Sequence, residues 1–419
     1  MDRKKILPIF FIVFTNILGS GVIIPILPLV AVGQFKATPF QATALAGVFF
    51  AAQFVAAPWL GRISDKIGRR PVLIVSQVGT VFSFILFISA APIGAVVDGW
   101  QIGLPVTGGL IILYLARILD GITGGNITTA QAYITDISTP QTRAQALGII
   151  SGAFGLGFIF GPAFGGFLAD ISLTAPFTGA AIITTVSVLL TTFFLDESLP
   201  PEKRAHLQHE NDDIPVKQFL EHPTIFRILL VTFIVTVAFS ALQSTFALFV
   251  ERVFYPGLPS GRVARNAGLI LTVVGIVTVI TQLVFIKPLV NRFGERLVAV
   301  LGQLSLLVAF AGFVLAVQPL YAYLLAVPLA FGTGVNQPSL QSLLTRFGTG
   351  LERGRLLGMY QSARSLALIF GPVWAGYVFQ EFSPRAPFVV AVPLLIVSVL
   401  LTLDLRRHDI PEHEELGAV

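Results

Sequence analysis

The sequence has no cysteine and only two methionines in 419 residues. It therefore has no disulfide, no thiolate nucleophile and no thiolate metal ligand. Its five histidines are His206, His209, His222, His408 and His413, all within or beside the central polar interval or in the C-terminal tail. The apolar body of the chain thus has no imidazole from which a triad or a His-based metal site is assembled. His206-x-x-His209-Glu210 has metal-like spacing but reads as a solvated linker. Charge is scarce too: 12% of residues are charged against 54% hydrophobic, with a mean hydropathy of +0.83. A soluble chain of this length divides into two or three domains and carries about 25% charged residues. The solvent for most of this chain is lipid.

What is present is apolar length. About twenty apolar residues cross roughly 30 Å of hydrocarbon as a helix, and the sequence predicts twelve such spans, at 6-32, 42-60, 71-92, 107-134, 144-168, 174-195, 223-250, 267-286, 297-317, 320-344, 356-379 and 387-405. Arg3-Lys4-Lys5 before an apolar run resembles the start of a signal peptide, but the run is long and eleven spans follow, so it reads as span 1. The expected fold class is an all-α membrane protein.

The net charge of +5 would suggest nucleic acid or anionic lipid in a soluble protein; here the threading accounts for it. With the N-terminus inside, twenty of the 27 basic residues fall on inner segments. Lys36, Arg252, Arg262, Arg265 and Arg385 fall outside, and Arg117 and Arg364 lie within spans. This distribution predicts that both termini are cytoplasmic and gives no nucleic-acid role.

The chain repeats itself. Ile159-Phe160-Gly161-Pro162-Ala163-Phe164-Gly165-Gly166 recurs as Ile369-Phe370-Gly371-Pro372-Val373-Trp374-Ala375-Gly376, an offset of 210 that also pairs Asn126 with Asn336, Arg143 with Arg353 and Gly148 with Gly358. The loop Asp65-Lys66-Ile67-Gly68-Arg69-Arg70 has a weaker echo at Asn291-Arg292-Phe293-Gly294-Glu295-Arg296, offset 226. Two six-helix bundles are expected, 1-196 and 223-405, joined by a cytoplasmic linker at 197-222 and followed by a tail at 406-419. Two related bundles around a midplane cavity are a common plan of secondary transporters.

The loop after span 2 reads Gly61-Arg62-Ile63-Ser64-Asp65-Lys66-Ile67-Gly68-Arg69-Arg70. It suits a conformational latch: Gly61 admits a close helix, Asp65 fits a positive helix N-terminus and Arg69 reaches a carboxylate. The bland alternative is an ordinary basic loop. Span 5 carries Gly148, Gly157, Gly161, Pro162, Gly165 and Gly166, a run that permits close packing and a bendable helix; generic glycine packing is the alternative.

These two motifs resemble the major facilitator superfamily, the second its drug:proton antiporter branch with twelve spans. Gly19-Ser20-Gly21-Val22-Ile23-Ile24-Pro25-Ile26-Leu27-Pro28 and Leu113-Tyr114-Leu115-Ala116-Arg117-Ile118-Leu119-Asp120-Gly121-Ile122-Thr123-Gly124 are similar to tetracycline and multidrug efflux proteins. The resemblance implies that the helix met by Asp65 is span 11 and that the carboxylate met by Arg69 is Asp136. It also implies a span 1 aspartate where this sequence has Asn16, which cannot carry a proton.

An ionisable group at membrane depth costs on the order of 3 kcal/mol on insertion scales, so each is a functional candidate. Asp120 is the mid-span carboxylate, with Arg117 three residues earlier on the same helix face. Either the pair opens and closes as Asp120 exchanges a proton, or it is a permanent salt bridge. Arg364 has no acid at helical spacing and either faces an anionic substrate group or bonds to carbonyls. The amides Gln53, Asn126, Gln243, Asn336, Gln337 and Gln361, with Asn16, are candidates to line the cavity or to bond helix to helix. Asn126-Ile127-Thr128 matches a glycosylation acceptor only as text, since it lies in span 4.

The expected function is proton-coupled export of hydrophobic or amphiphilic small molecules by alternating access; the alternative is an uncoupled carrier of an anionic amphiphile or lipid. The expected partners are a small-molecule substrate, protons and the lipid bilayer, with the chain a monomer in a bacterial inner membrane. No enzyme activity, cofactor or metal is expected.

Overall fold

The computed structural model describes residues 3–101, 103, 105–138, 140–204, 219–348 and 351–405, with the backbone course alone for 3–8, 127, 140–151, 154, 158, 203 and 351. Each expected span falls on a helix. In the first half, α1 runs Arg3–Ile23 and resumes over Leu27–Phe35, broken where Pro25 removes a backbone donor. Helix α2 is Pro39–Ile67; α3 is Arg69–Ile88 continued by Ala90–Gly99; α4 is Gly108–Gly124 continued by Asn126–Ile137; α5 is Pro140–Ile171; and α6 is Ala175–Phe194.

In the second half, α7 is Pro223–Phe249 with a π turn over Val250–Phe254, and α8 begins as Ser260–Ile280. The helix Ile286–Leu315 breaks at Gly294, so its start completes α8 and the remainder is α9. Helices α10 (Pro319–Thr345), α11 (Leu351–Glu381) and α12 (Ala386–Leu403) follow. Eight stretches are long and apolar enough to cross a membrane by composition alone, and one of them, Ser260–Leu315, contains two spans. The others are α10 and α11, diluted by prolines, amides and arginines, and α5, of which Gly155–Ile171 registers as apolar.

The helices outrun the expected spans because hydropathy marks only the lipid-buried part; α2 and α11 continue well past it. At one end of the molecule lie Arg69, Asp136 and Arg346, called here the basic end.

The two halves are joined through α5 and α11, and glycine decides how. A Cβ on Gly161 would stand 2.8 Å from Gly21 Cα, and one on Gly157 would stand 2.9 Å from Ile17 Cβ, so this face of α5 lies backbone-to-backbone on α1. On its other face, a Cβ on Gly166 would stand 2.9 Å from Arg265 Cα of α8, and a Cβ on Gly275 of α8 would stand 3.0 Å from Ile159 Cα. The repeat reproduces this: Gly371 lies against Ser240 of α7, and Gly376 against Thr43 of α2. A Cβ on Gly165 would stand 2.6 Å from the Val22 carbonyl oxygen of α1, and Pro162 presents its carbonyl to Gly268 of α8. The surroundings of Gly148 lie outside the described residues.

In lipid there is no hydrophobic force between helices, so van der Waals contact of this closeness supplies the adhesion. The cross-half polar contacts strengthen it at the end away from the basic one: Phe40 N donates to Gln380 Oε1 at 3.4 Å, and Arg265 pairs with Asp170 at 2.9 Å. The halves are closed there.

Leucine at 157 or 161 would wedge α5 off α1, an overpacking cost of about 1–3 kcal/mol. Gly157→Leu and Gly161→Leu should each lower the thermal midpoint of purified protein by several degrees. Gly152→Leu, where nothing stands within 4 Å, should not; equal loss in all three would show that helix propensity, not the α1 contact, sets the effect.

Candidate functional site

Arg117 and Asp120 face α2 and α3. Arg117 Nη1 donates to Asp120 Oδ2 at 2.8 Å, its Nε reaches the Leu45 carbonyl at 3.4 Å, and its guanidinium carbon lies 4.4 Å from the centre of the Phe49 ring. Ser83 of α3 stands beside the carboxylate. Gly121 allows this packing, since a Cβ there would strike the Phe49 carbonyl. The residues are 8% and 4% exposed. The pair is formed and sealed in this state. Removing one member of such a pair leaves a buried charge uncompensated, at about 3–5 kcal/mol, so neither residue is replaceable alone without loss of stability.

The amides divide. Asn16 Nδ2 donates to Asn126 Oδ1 at 3.5 Å, bridging α1 and α4. Gln53 Nε2 donates to the Gly124 carbonyl at 2.9 Å, which is freed where α4 breaks at Gly125; its polarity serves the helix break. Asn336 lies inside the second bundle, with its Nδ2 3.3 Å from where a Gly302 Cβ would stand on α9. The Gln337 carbonyl accepts from Tyr360 Oη at 3.4 Å. Gln243 is half-buried in α7, Arg364 half-buried in α11, and Gln361 exposed on the same helix.

At the basic end, Arg69 Nη1 meets Asp65 Oδ1 at 2.5 Å, and its Nε meets Asp136 Oδ2 at 3.2 Å. Asp136 also accepts from Ser198 Oγ at 3.0 Å. The resemblance placed Asp65 on the N-terminus of span 11, and here it lies on Arg69 instead. Among the described residues, nothing stands within 4 Å of a Cβ position on Gly61. The departure at Asp65 has one physical reason: the halves meet at the opposite end.

Glu197 is a member of this cluster that sequence reasoning missed. Its Oε1 accepts from the Arg69 N–H at 2.8 Å and its Oε2 from the Arg70 N–H at 3.2 Å. A carboxylate from beyond α6 thus caps the positive N-terminus of α3. Gly68, at φ +108°, makes the turn, and a Cβ there would collide with that carboxylate. No local sequence signal marks it, because the N–H groups it caps lie more than a hundred residues earlier in the chain.

The second half holds the same clamp with its charges exchanged. Offset 226 carries Arg69 to Glu295 and offset 210 carries Asp136 to Arg346. Glu295 and Arg346 pair at 2.6 Å, with Ser342 Oγ donating to Glu295 at 3.1 Å. The neighbouring arginine bond keeps its sense: Arg70 donates to the Thr192 carbonyl at 2.6 Å, and Arg296 donates to the Thr402 carbonyl at 3.2 Å. The glutamine bond does not: Gln77 Oε1 accepts from Thr191 Oγ1 at 2.9 Å, whereas Gln303 Nε2 donates to Thr402 Oγ1 at 2.9 Å. Gly294, at φ +74°, matches Gly68. Burial works to raise the Glu295 pKa, but hydrogen bonds from Arg346, its own backbone and Ser342 outweigh it and hold the carboxyl below the ordinary glutamate value. The stability it contributes is complete above an unfolded pKa of about 4.3 and fades as pH falls through the lower folded value.

Two bundles of six membrane-spanning helices, with polar groups near their middle and a charged clamp at one end of each, define a membrane transporter. The sequence profile of the Major Facilitator Superfamily matches residues 9–264 and 244–418, and the chain belongs to that superfamily. It is 30% identical over 412 residues to multidrug resistance protein 2 of Bacillus subtilis, covering 94% of each chain. It is 30% identical over 375 residues to the class C tetracycline resistance protein of Escherichia coli, covering 89% of each. Among solved structures, the human organic anion transporter MFSD10 superposes with a TM-score of 0.67 at 22% identity, covering 96% of this chain and 99% of that one. A bacterial homologue of the human lysosomal transporter Spinster superposes at 0.72 and 18% identity, covering 99% and 100%. These two likenesses show the fold alone.

Glu295→Arg and Arg346→Glu should each lower the melting temperature by several degrees, by placing like charges in the clamp. The double exchange should recover most of that loss, because the first half already holds the reversed polarity in the equivalent place. A double variant no more stable than the worse single one would contradict the equivalence.

Proposed function

We propose that this protein is a proton-driven exporter of hydrophobic or amphiphilic small molecules, acting as a monomer in the plasma membrane of a bacterium. Both termini are cytoplasmic in this reading, with bundles 1-196 and 223-405, a cytoplasmic linker at 197-222 and a cytoplasmic tail at 406-419. The basic end then faces the cytoplasm, and closure at the other end makes this the inward-facing arrangement. The observation that carries the reading is the α5 wedge: the glycine-rich run resembling the antiporter motif is the surface on which α1 and α8 both lie. The names of the multidrug and tetracycline relatives support the same class.

Substrate enters between the bundles from the cytoplasm. The halves then rock, separating Arg265 from Asp170 and bringing the clamps together, so that Asp65 leaves Arg69 for the N-terminal end of α11. Asp120 takes a proton from outside when Arg117 withdraws and releases it inside when the pair re-forms. Desolvation favours the neutral carboxyl and the guanidinium favours the charged one, so the position of Arg117 sets proton occupancy.

In inverted vesicles with an imposed pH gradient, Asp120→Asn should abolish uphill tetracycline accumulation while downhill exchange persists. Loss of both activities would make Asp120 structural, and unchanged uphill transport would eliminate it as the proton carrier. Asp65→Asn and Arg69→Ala should slow turnover at normal protein levels; full velocity in both would contradict the latch.

A further inference from the structure

Among the described residues, the charged groups deep within the spans are Arg117, Asp120 and Arg364, while Arg227 and Asp404 stand near span ends and pair with each other at 2.8 Å. The first two neutralise each other in a sealed pocket at 2.8 Å. Arg364 has no acid and no hydrogen-bond partner among the described residues. It stands within the predicted span 356-379, eight residues or about 12 Å from the nearer end at 1.5 Å per residue.

The contacts of α11 fix where Arg364 points. One face touches α2: a Cβ on Gly47 would stand 3.0 Å from the Ile369 carbonyl and 3.1 Å from Val373. The opposite face touches α7, where Ser240 Oγ donates to the Ala367 carbonyl at 3.3 Å. A third face carries Leu366, Phe370 and Tyr377, exposed at 39%, 57% and 56%, and meets lipid. With about 100° per residue, Gln361 and Arg364 fall roughly opposite that lipid face, in the sector between the α2 and α7 contacts. That sector looks into the space between the two halves. Tyr360, one turn before Arg364, is within electrostatic range of its guanidinium.

Among the described residues placed on this sector of α11, the charge without a partner is the guanidinium, with Gln361 beside it as a neutral donor, and Asn16 on the α1 side contributes no charge. An unpaired cation at membrane depth is unfavourable until an anion meets it, and a planar guanidinium matches carboxylate, sulfonate or phosphate oxygens in bidentate fashion. The geometry points to Arg364 as the anion-binding group of the cavity, with an organic anion bearing an apolar body as the substrate class. This rests on the export reading and narrows it. It also accounts for Asn16: with the cytoplasm negative, the membrane potential drives an organic anion outward by itself, so an anion exporter needs fewer titrating acids than an exporter of cations.

The test uses two dyes that differ by one charged group, anilinonaphthalene sulfonate and its uncharged parent phenylnaphthylamine. Binding is read by fluorescence titration of the purified protein in phosphatidylcholine nanodiscs, with empty discs subtracted. Arg364→Gln should weaken sulfonate binding about ten-fold or more and leave the parent dye unchanged, and Arg364→Lys should keep part of the preference. Equal loss for both dyes would make Arg364 structural and overturn the proposal, with gel filtration of Arg364→Lys separating that from misfolding. Unchanged binding of both would overturn it while leaving export of amphiphiles standing. Failure of the wild type to bind either dye would contradict the amphiphile reading and this one with it.

Discussion

The contact that the rest of the molecule depends on is α5 lying bare-backboned between α1 of its own half and α8 of the other. Each glycine on its two faces removes a side chain that would hold the helices apart, and in lipid the adhesion that results is dispersion rather than solvent exclusion. Such contact is close, and among the described residues the ion pair of Arg265 with Asp170 ties α5 to α8 at its end away from the basic one. The wedge therefore holds the halves in register and still lets one rock on the other. The same arrangement recurs around α11, where Gly371 and Gly376 meet α7 and α2, so the interface between halves is built twice from one motif.

Rocking needs each bundle to move as a body, and the charged clamps supply part of that stiffness. Arg69 with Asp136, and Glu295 with Arg346, tie the start of the third helix in each bundle to the end of the fourth. The exchange of sign shows that the duplication preserved a bond and its place while leaving its polarity free. It also leaves the halves unequal: Asp65, at the open end of one clamp, has the neutral Asn291 as its counterpart in the other. The first half thus carries a carboxylate on Arg69 where offset 226 gives the second half an amide.

Much of the fold was legible because lipid imposes simple rules. Twelve apolar lengths and the repeat at offset 210 follow from hydropathy and from comparison of the chain with itself. Arg117 with Asp120 was legible from helical spacing. Glu197 was not, because its partner N–H groups lie more than a hundred residues away and nothing local marks a carboxylate as a helix cap. The inverted clamp was hidden for a different reason. Similarity searching pairs like residues, and a salt bridge survives a swap that erases the likeness at both positions. The amides read as one class, yet Gln53 is committed to the α4 break and Asn336 to a bundle interior, a division set by helix rotation that composition does not reveal.

Alternation of the two ends about the α5 and α11 wedges is the central claim, and the absence of native cysteine makes it directly measurable. Spin labels at Lys66→Cys and Gly354→Cys would report the basic end, and labels at Ser172→Cys and Arg262→Cys the opposite end, with distances read by pulsed electron resonance in liposomes. The account predicts two populations at each end that shift reciprocally when Arg265→Ala removes the cross-half ion pair: longer distances at the opposite end, shorter ones at the basic end. A single unchanged distance at both ends, or a shift of the same sign at both, would contradict it.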